Sequence, residues 1–186
     1  MPKIRFWGID PSITNTGVCC FNPDDIFSPA VYEGKTFTKG LTGFARYGAE
    51  ACGIANLFDN ACENYVVYED YSYGSIHNAY SLAEYGGILK YELYKAGANI
   101  LFVAPTVIKR FATGNGASDK PVVAQALQDY DFPFLKNNPS NDITDACAMA
   151  MLCLFVHAPE LAIEKFNKPK KLLRLRLEVA KGIKNG

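Results

Sequence analysis

From residue 41 to residue 105 the chain alternates helix, strand, helix, strand, and this alternation restricts its fold more than any other feature of the sequence. Residues 41 to 62 place Leu41, Phe44, Ala45, Ala51, Ile54, Ala55, Leu57 and Phe58 at helical spacing. The strand-like run YVVYEDY, residues 65 to 71, follows at once. Residues 77 to 96 return to helical spacing through Leu82, Tyr85, Ile88, Leu89 and Leu93 and stop at Gly97, and NILFVAP then leads into another strand. Strands joined through a helix in one sheet pair in parallel. Ahead of this unit, residues 3 to 9, 17 to 21 and 31 to 37 read as three short strands punctuated by Asp10, Pro11, Ser12, Asn22, Pro23 and Asp24, an antiparallel meander. The expected fold is therefore α/β, a five-stranded mixed sheet flanked by helices, with further helices over residues 119 to 130 and from residue 141.

A chain of 186 residues, 49% hydrophobic, can bury one substantial core. The expected division is a single domain over residues 1–160 and a basic tail over 161–186. The net charge is zero, so no global basic field announces a nucleic-acid partner. From Lys165 onward, however, Lys165, Lys168, Lys170, Lys171, Arg174, Arg176, Lys181 and Lys184 face the single acid Glu178. The six cysteines show no C-x-x-C pair and no histidine at zinc-finger spacing, so neither a zinc site nor a disulfide framework is expected and they read as reduced core cysteines. Asp10 interrupts the short apolar start before a secretory signal could form, and the longest apolar run, Ala146 to Val156, is too short to span a bilayer. A cytoplasmic protein with no membrane partner is expected.

Four acids fall where acids are out of pattern. Asp10 ends the first strand in GIDPS, and Glu69 interrupts an apolar strand in VVYEDY. Asp142 and Asp145, in NDITDACAMAM, are three apart and so share one helix face, directly before an apolar run. Taken alone, Asn141 or Asp142 reads as a helix cap, Asp10 as a turn residue and Glu69 as an edge-strand acid. If the first and fourth strands are neighbours and the last helix crosses their ends, all four converge. Crowded carboxylates raise one another's pKa unless a cation receives them. An all-oxygen donor set suits Mg²⁺ or Mn²⁺, and two such ions support in-line phosphodiester hydrolysis.

GIDPSITNTGV at 8 to 18, VVYEDY at 66 to 71, PTVIKRFATGNGASDKPVV at 105 to 123 and NDITDACAMAM at 141 to 151 resemble, in order and spacing, the RuvC-like Holliday junction resolvases of the ribonuclease H-like superfamily. The resemblance implies a ribonuclease H-like fold and a homodimeric endonuclease, dependent on two Mg²⁺ ions that Mn²⁺ can replace, which nicks opposed strands of four-way DNA. It implies Asp10, Glu69, Asp142 and Asp145 as the metal tetrad, with Lys120 assisting catalysis. Lys109, Arg110, Asn115 and Lys120 would meet DNA, and Tyr71 and Tyr73, which flank Ser72, stand near the place where such resolvases present a stacking aromatic. The helix over 77–96 occupies the family's dimerisation position, where Ala83, Gly86 and Gly87 would permit close approach and Tyr80, Tyr85, Tyr91 and Tyr94 would supply contact area. The basic tail departs from the cellular pattern and resembles phage or other viral versions, for which the location would be the host cytoplasm. It would either hold phosphates or remain a solvated terminus.

Other readings stay open on sequence alone. A ribonuclease H-like nuclease acting on forks, flaps or RNA·DNA hybrids would show the same acids. An actin-like ATPase resembles GIDPSITNTGV superficially, but a chain this short lacks the second domain that encloses nucleotide. A noncatalytic junction-binding protein would have no use for an intact tetrad.

Overall fold

A computed structural model describes residues 3–70, 79–128, 132, 139–166 and 170–184. Five strands, β1 (Lys3–Asp10), β2 (Gly17–Asn22), β3 (Asp25–Glu33), β4 (Cys62–Glu69) and β5 (Ala98–Val103), form one sheet in the order β3-β2-β1-β4-β5. β1 and β2, and β2 and β3, are antiparallel, whereas β1 and β4, and β4 and β5, are parallel. This is the expected mixed sheet, with β1 at its centre.

The strands alternate their side chains between two apolar layers. Trp7, Ile9, Val18, Cys20, Val66 and Tyr68 face α1 (Gly43–Ala55) and α2 (Ala79–Lys95). Phe6, Cys19, Phe21 and Val67 face α5 (Asn141–His157) on the other side. α3 (Pro105–Thr113) and α4 (Lys120–Gln128) pack around α5, and α6 (Pro159–Lys165) and α7 (Lys170–Lys184) follow it. From Ile143 to Val156 every residue of α5 is buried except Asp145. Among the described residues no single helix is long and apolar enough to cross a membrane.

Several boundaries differ from expectation. The third strand runs over Asp25–Glu33 instead of 31 to 37, and Gly34–Phe37 is a short 3-10 turn. Pro29 is tolerated within β3 because the strand is an edge and Pro29 has no partner in its register with β2. α1 stops at Ala55, short of residue 62, because Phe58 leaves the helical path to stack on Trp7 at 4.3 Å. α3 had no counterpart in the sequence reading.

The cationic segment beyond residue 160 is not a solvated terminus along its described length. In α7, Arg176, Val179, Ala180 and Ile183 stand at i, i+3, i+4 and i+7, and this face packs onto the α5 layer. Arg176 is 0% exposed, donates from Nη2 to the Ala112 carbonyl at 3.1 Å and lies over the Phe111 ring. A count of charges hides that face, because Arg176 itself belongs to it.

Candidate active site

The register of the parallel pair builds half of the site. Ile9 pairs with Tyr68, so Asp10 and Glu69, one residue further on, sit side by side at the carboxyl ends of β1 and β4. Ile9 and Tyr68 face the α1–α2 layer, and alternation therefore turns Asp10 and Glu69 toward α5. The two carboxyl groups are within hydrogen-bond reach.

Two glycines build the other half. A Cβ on Gly8 would fall on the Ala146 carbonyl oxygen and the Ala150 nitrogen, and one on Gly17 would fall on the Asp142 carbonyl. With hydrogen there instead, α5 lies directly on β1 and β2 and carries its first turns over the strand ends. The helix is capped by Ser140, whose hydroxyl accepts the Ile143 N–H at 3.4 Å. Neither Asn141 nor Asp142 is the cap, so the capping reading of the paired aspartates does not hold.

Burial raises the Asp10 pKa well above the ordinary carboxylate range, and the hydrogen bond and charge of Glu69 add to it, followed by the charge of Asp145. Glu69 is also raised by burial and by Asp145. Burial and crowding thus make full ionisation of the pair costly unless a cation receives it. Asp145 Oδ2 lies 2.8 Å from Lys120 Nζ. Burial pulls the Lys120 pKa down, but the hydrogen bond to Asp145 and the charges of Asp145, Asp10 and Asp142 outweigh it, leaving the ammonium firmly charged. Glu69, Asp145, Lys109 and Lys120 share a cleft of about 250 Å³ whose apolar lining comes from Pro105, Ile108, Val123 and Met149.

Asp142 stands apart. Its Oδ2 accepts from Asn15 Nδ2 at 3.2 Å, and the same nitrogen donates to Glu33 Oε1 at 3.1 Å. Hydrogen bonds to Lys35, opposed by slight burial and aided by Ser140 and Asn15, hold the Glu33 carboxyl below its usual pKa. Among the described residues no three acids, histidines or cysteines close on one point as a preformed metal cage.

Arg110 and Asn115 are not brought to the cleft. Arg110 lines a separate groove with β5 and α7, together with Glu178. Asn115 Oδ1 accepts the Ala117 N–H within its own turn, after Gly114 ends α3 in the left-handed conformation. Tyr71 and Tyr73 lie outside the described residues. In α2, Tyr85 and Gly86 are buried within the chain, which removes both from the face expected to meet a partner. Asn15, Glu33 and Ser140 were not singled out in the sequence; each is an ordinary turn, strand-end or loop residue there, and only their contacts with α5 mark them.

The comparisons agree with this geometry. The model of the family "Crossover junction endodeoxyribonuclease RuvC" matches residues 6–153. The crossover junction endodeoxyribonuclease RuvC of Gloeobacter violaceus is 27% identical over 166 residues, covering 88% of this chain and 95% of that protein. Among solved structures, Thermus thermophilus RuvC superposes with a TM-score of 0.60 at 19% identity, over 88% of this chain and 95% of that one. The T. thermophilus protein in complex with a Holliday junction substrate gives the same TM-score and identity over 88% and 94%. These structures share the sheet and its flanking helices, and the family match runs from β1 through most of α5, the two elements that carry three of the four acids. On that match the chain belongs to the RuvC family of crossover junction endodeoxyribonucleases, within the ribonuclease H-like fold.

Proposed function

We propose that this protein resolves four-way DNA junctions by paired nicks, with Asp10, Glu69, Asp142 and Asp145 as its metal-binding and catalytic acids. The observation that carries this reading is that Asp10 and Glu69 stand side by side at the ends of β1 and β4, with the Asp145–Lys120 pair of α5 and α4 near enough to act on both through its charges. The family implies a divalent metal, and the residues fit one: the donors are all oxygens, Asp10 and Glu69 are both held at raised pKa by burial and by the charge of Asp145, and Lys120 is the near cation. When bound, the metal, taken as two Mg²⁺ ions that Mn²⁺ can replace, supplies Lewis-acid assistance to in-line phosphodiester hydrolysis.

The chain's own residues do the rest. Asp10 and Glu69, both raised by burial, present their oxygens to the cations as carboxylates, so metal uptake competes with protonation there. Asp142 lies one helical turn from Asp145 on the same face and completes the set. Asp145 orients the Lys120 ammonium, which offsets charge gathering on the phosphate, and Lys109, across the same cleft, meets a neighbouring phosphate. Arg110, Asn115, Tyr71 and Tyr73 are assigned to DNA further from the scissile bond. The nuclease unit is residues 1–160 in this reading, with 161–186 appended to it. Two copies joined through α2 supply the two nicks.

The test is an end-labelled four-way junction in Mg²⁺, beside a matched duplex, a fork and an RNA·DNA hybrid, with Asp142→Asn as control. Symmetric paired nicks confined to the junction, and a loss of at least about 100-fold in the variant, are expected. Equal cutting of forks and hybrids would replace the resolvase with a broader nuclease, and an undiminished variant would remove Asp142 from the tetrad.

A further inference from the structure

Asp142 is the one acid of the four whose carboxylate is already held by a neutral side chain. Asn15, 9% exposed in the turn between β1 and β2, grips it through an amide whose orientation is fixed from both sides. The Lys35 backbone N–H, a donor only, meets Asn15 Oδ1 at 3.3 Å, so Nδ2 must face the other way. There its two hydrogens reach two carboxylates, Asp142 Oδ2 and Glu33 Oε1. Glu33 is anchored in turn by Lys35 Nζ at 2.8 Å and by the hydroxyl of Ser140, the cap of α5.

The turn carrying Asn15 is pinned as well. The Thr16 N–H donates to the buried Glu50 carboxylate at 3.2 Å, and the Gly34 N–H donates to the Thr16 carbonyl at 2.8 Å. A closed loop of hydrogen bonds thus joins the β1–β2 turn, the end of β3 and the start of α5, and Asp142 is the member whose charge also reaches Lys120 in the cleft. Remove the amide, and Asp142 and Glu33 face each other with no donor between them, while the Asp142 side chain is free to leave its rotamer.

We propose that Asn15, anchored by Glu33, is a positioning residue that presets the Asp142 carboxylate for the metal. This rests on the assignment of Asp142 as a metal-binding acid. Groups that orient a metal-binding side chain in this way are worth about 10- to 100-fold in metal affinity.

The experiment follows Mn²⁺ uptake by the full-length protein without DNA, from the loss of the free-ion paramagnetic resonance signal, for wild type, Asn15→Ala, Glu33→Ala and Asp142→Asn, each checked for folding by circular dichroism. Asn15→Ala should weaken uptake about 10-fold, Glu33→Ala about 3-fold, and Asp142→Asn at least 10-fold. Junction cleavage by Asn15→Ala should return to within about 3-fold of wild type at saturating Mn²⁺, whereas Asp142→Asn should not recover. A merely structural asparagine would not produce that separation of metal affinity from turnover. Asn15→Ala uptake within twofold of wild type, beside a weakened Asp142→Asn, would overturn the positioning role and leave the site intact. Asp142→Asn with wild-type uptake, or a wild type with no saturable uptake, would overturn the site assignment itself. Should Asn15→Ala not fold, an unchanged Glu33→Ala overturns the positioning role.

Discussion

At Asp10 the fold keeps a carboxyl away from water and beside a second carboxyl, and the consequence can be read as stability. An acid whose folded pKa is raised binds more protons folded than unfolded, so its contribution to stability falls as pH rises from the ordinary carboxylate range, about 4, through the folded value. Asp10→Asn removes that penalty together with the metal oxygen. The metal-free variant should melt above wild type by about 2–4 °C at pH 8, equivalent to roughly 1 kcal/mol, and by less at pH 5. Added Mn²⁺ should raise the melting temperature of wild type and not of the variant, and junction cleavage should be lost. Melting curves at the two pH values, with and without Mn²⁺, check all of this; a variant less stable than wild type at pH 8 contradicts the burial penalty. Asp10 and Glu69 were legible in the sequence because a charge within an apolar strand departs from its pattern. Asn15 was not, since an asparagine in a turn is commonplace and its meaning lies in a contact with Asp142, 127 residues away.

Among the elements, α5 decides the site, and its seat on the sheet depends on two missing methyl groups. Gly8→Ala places a Cβ against α5 backbone that cannot turn aside as a side chain would, so the helix must lift or β1 must shift. A loss of about 3 kcal/mol is expected, a fall of roughly 6–12 °C in melting temperature, with cleavage reduced further than stability alone accounts for because Asp142 and Asp145 move with the helix. Alanine at Gly182 in α7, where a Cβ meets nothing, is the control and should leave melting within about 2 °C. Equal effects at the two positions would mean that α5 does not need its close approach. The sequence showed α5 plainly through its apolar run. It misplaced β3, because Pro29 mimics a turn in an edge strand, and it undervalued α7, because cationic residues outnumber the apolar ones that seat the helix. It passed over α3, a helix of nine residues, too short for a helical period to stand out.

For the whole molecule the question is how a chain with one acidic cluster makes two opposed nicks. α1 and α2 cover the face of the sheet opposite α5, and their outer surface exposes Phe44 at 67%, Tyr80 at 86%, Tyr91 at 61% and Tyr94 at 74%. Tyr80, Gly87, Tyr91 and Tyr94 follow one another at steps of seven, four and three, a single stripe along α2. Aromatic contact area beside a glycine suits a helix that meets its own copy across a two-fold axis. Because the stripe and the cleft lie on opposite sides of the sheet, such pairing leaves both clefts open to one junction. The double variant Tyr91→Glu, Tyr94→Glu places four carboxylates at the shared axis, while each exposed position tolerates the change in an isolated chain. Sedimentation should give a dimer for wild type at micromolar concentration and a monomer for the variant. On a supercoiled plasmid with an extruded cruciform, wild type should yield linear product, from two nicks in one encounter, and the variant nicked circles, with linear product reduced at least about 10-fold while single-strand cutting persists. A variant that still sediments as a dimer places the interface elsewhere on the chain. A monomeric variant that still linearises the plasmid in one encounter would mean that the two nicks do not depend on pairing through α2 at all.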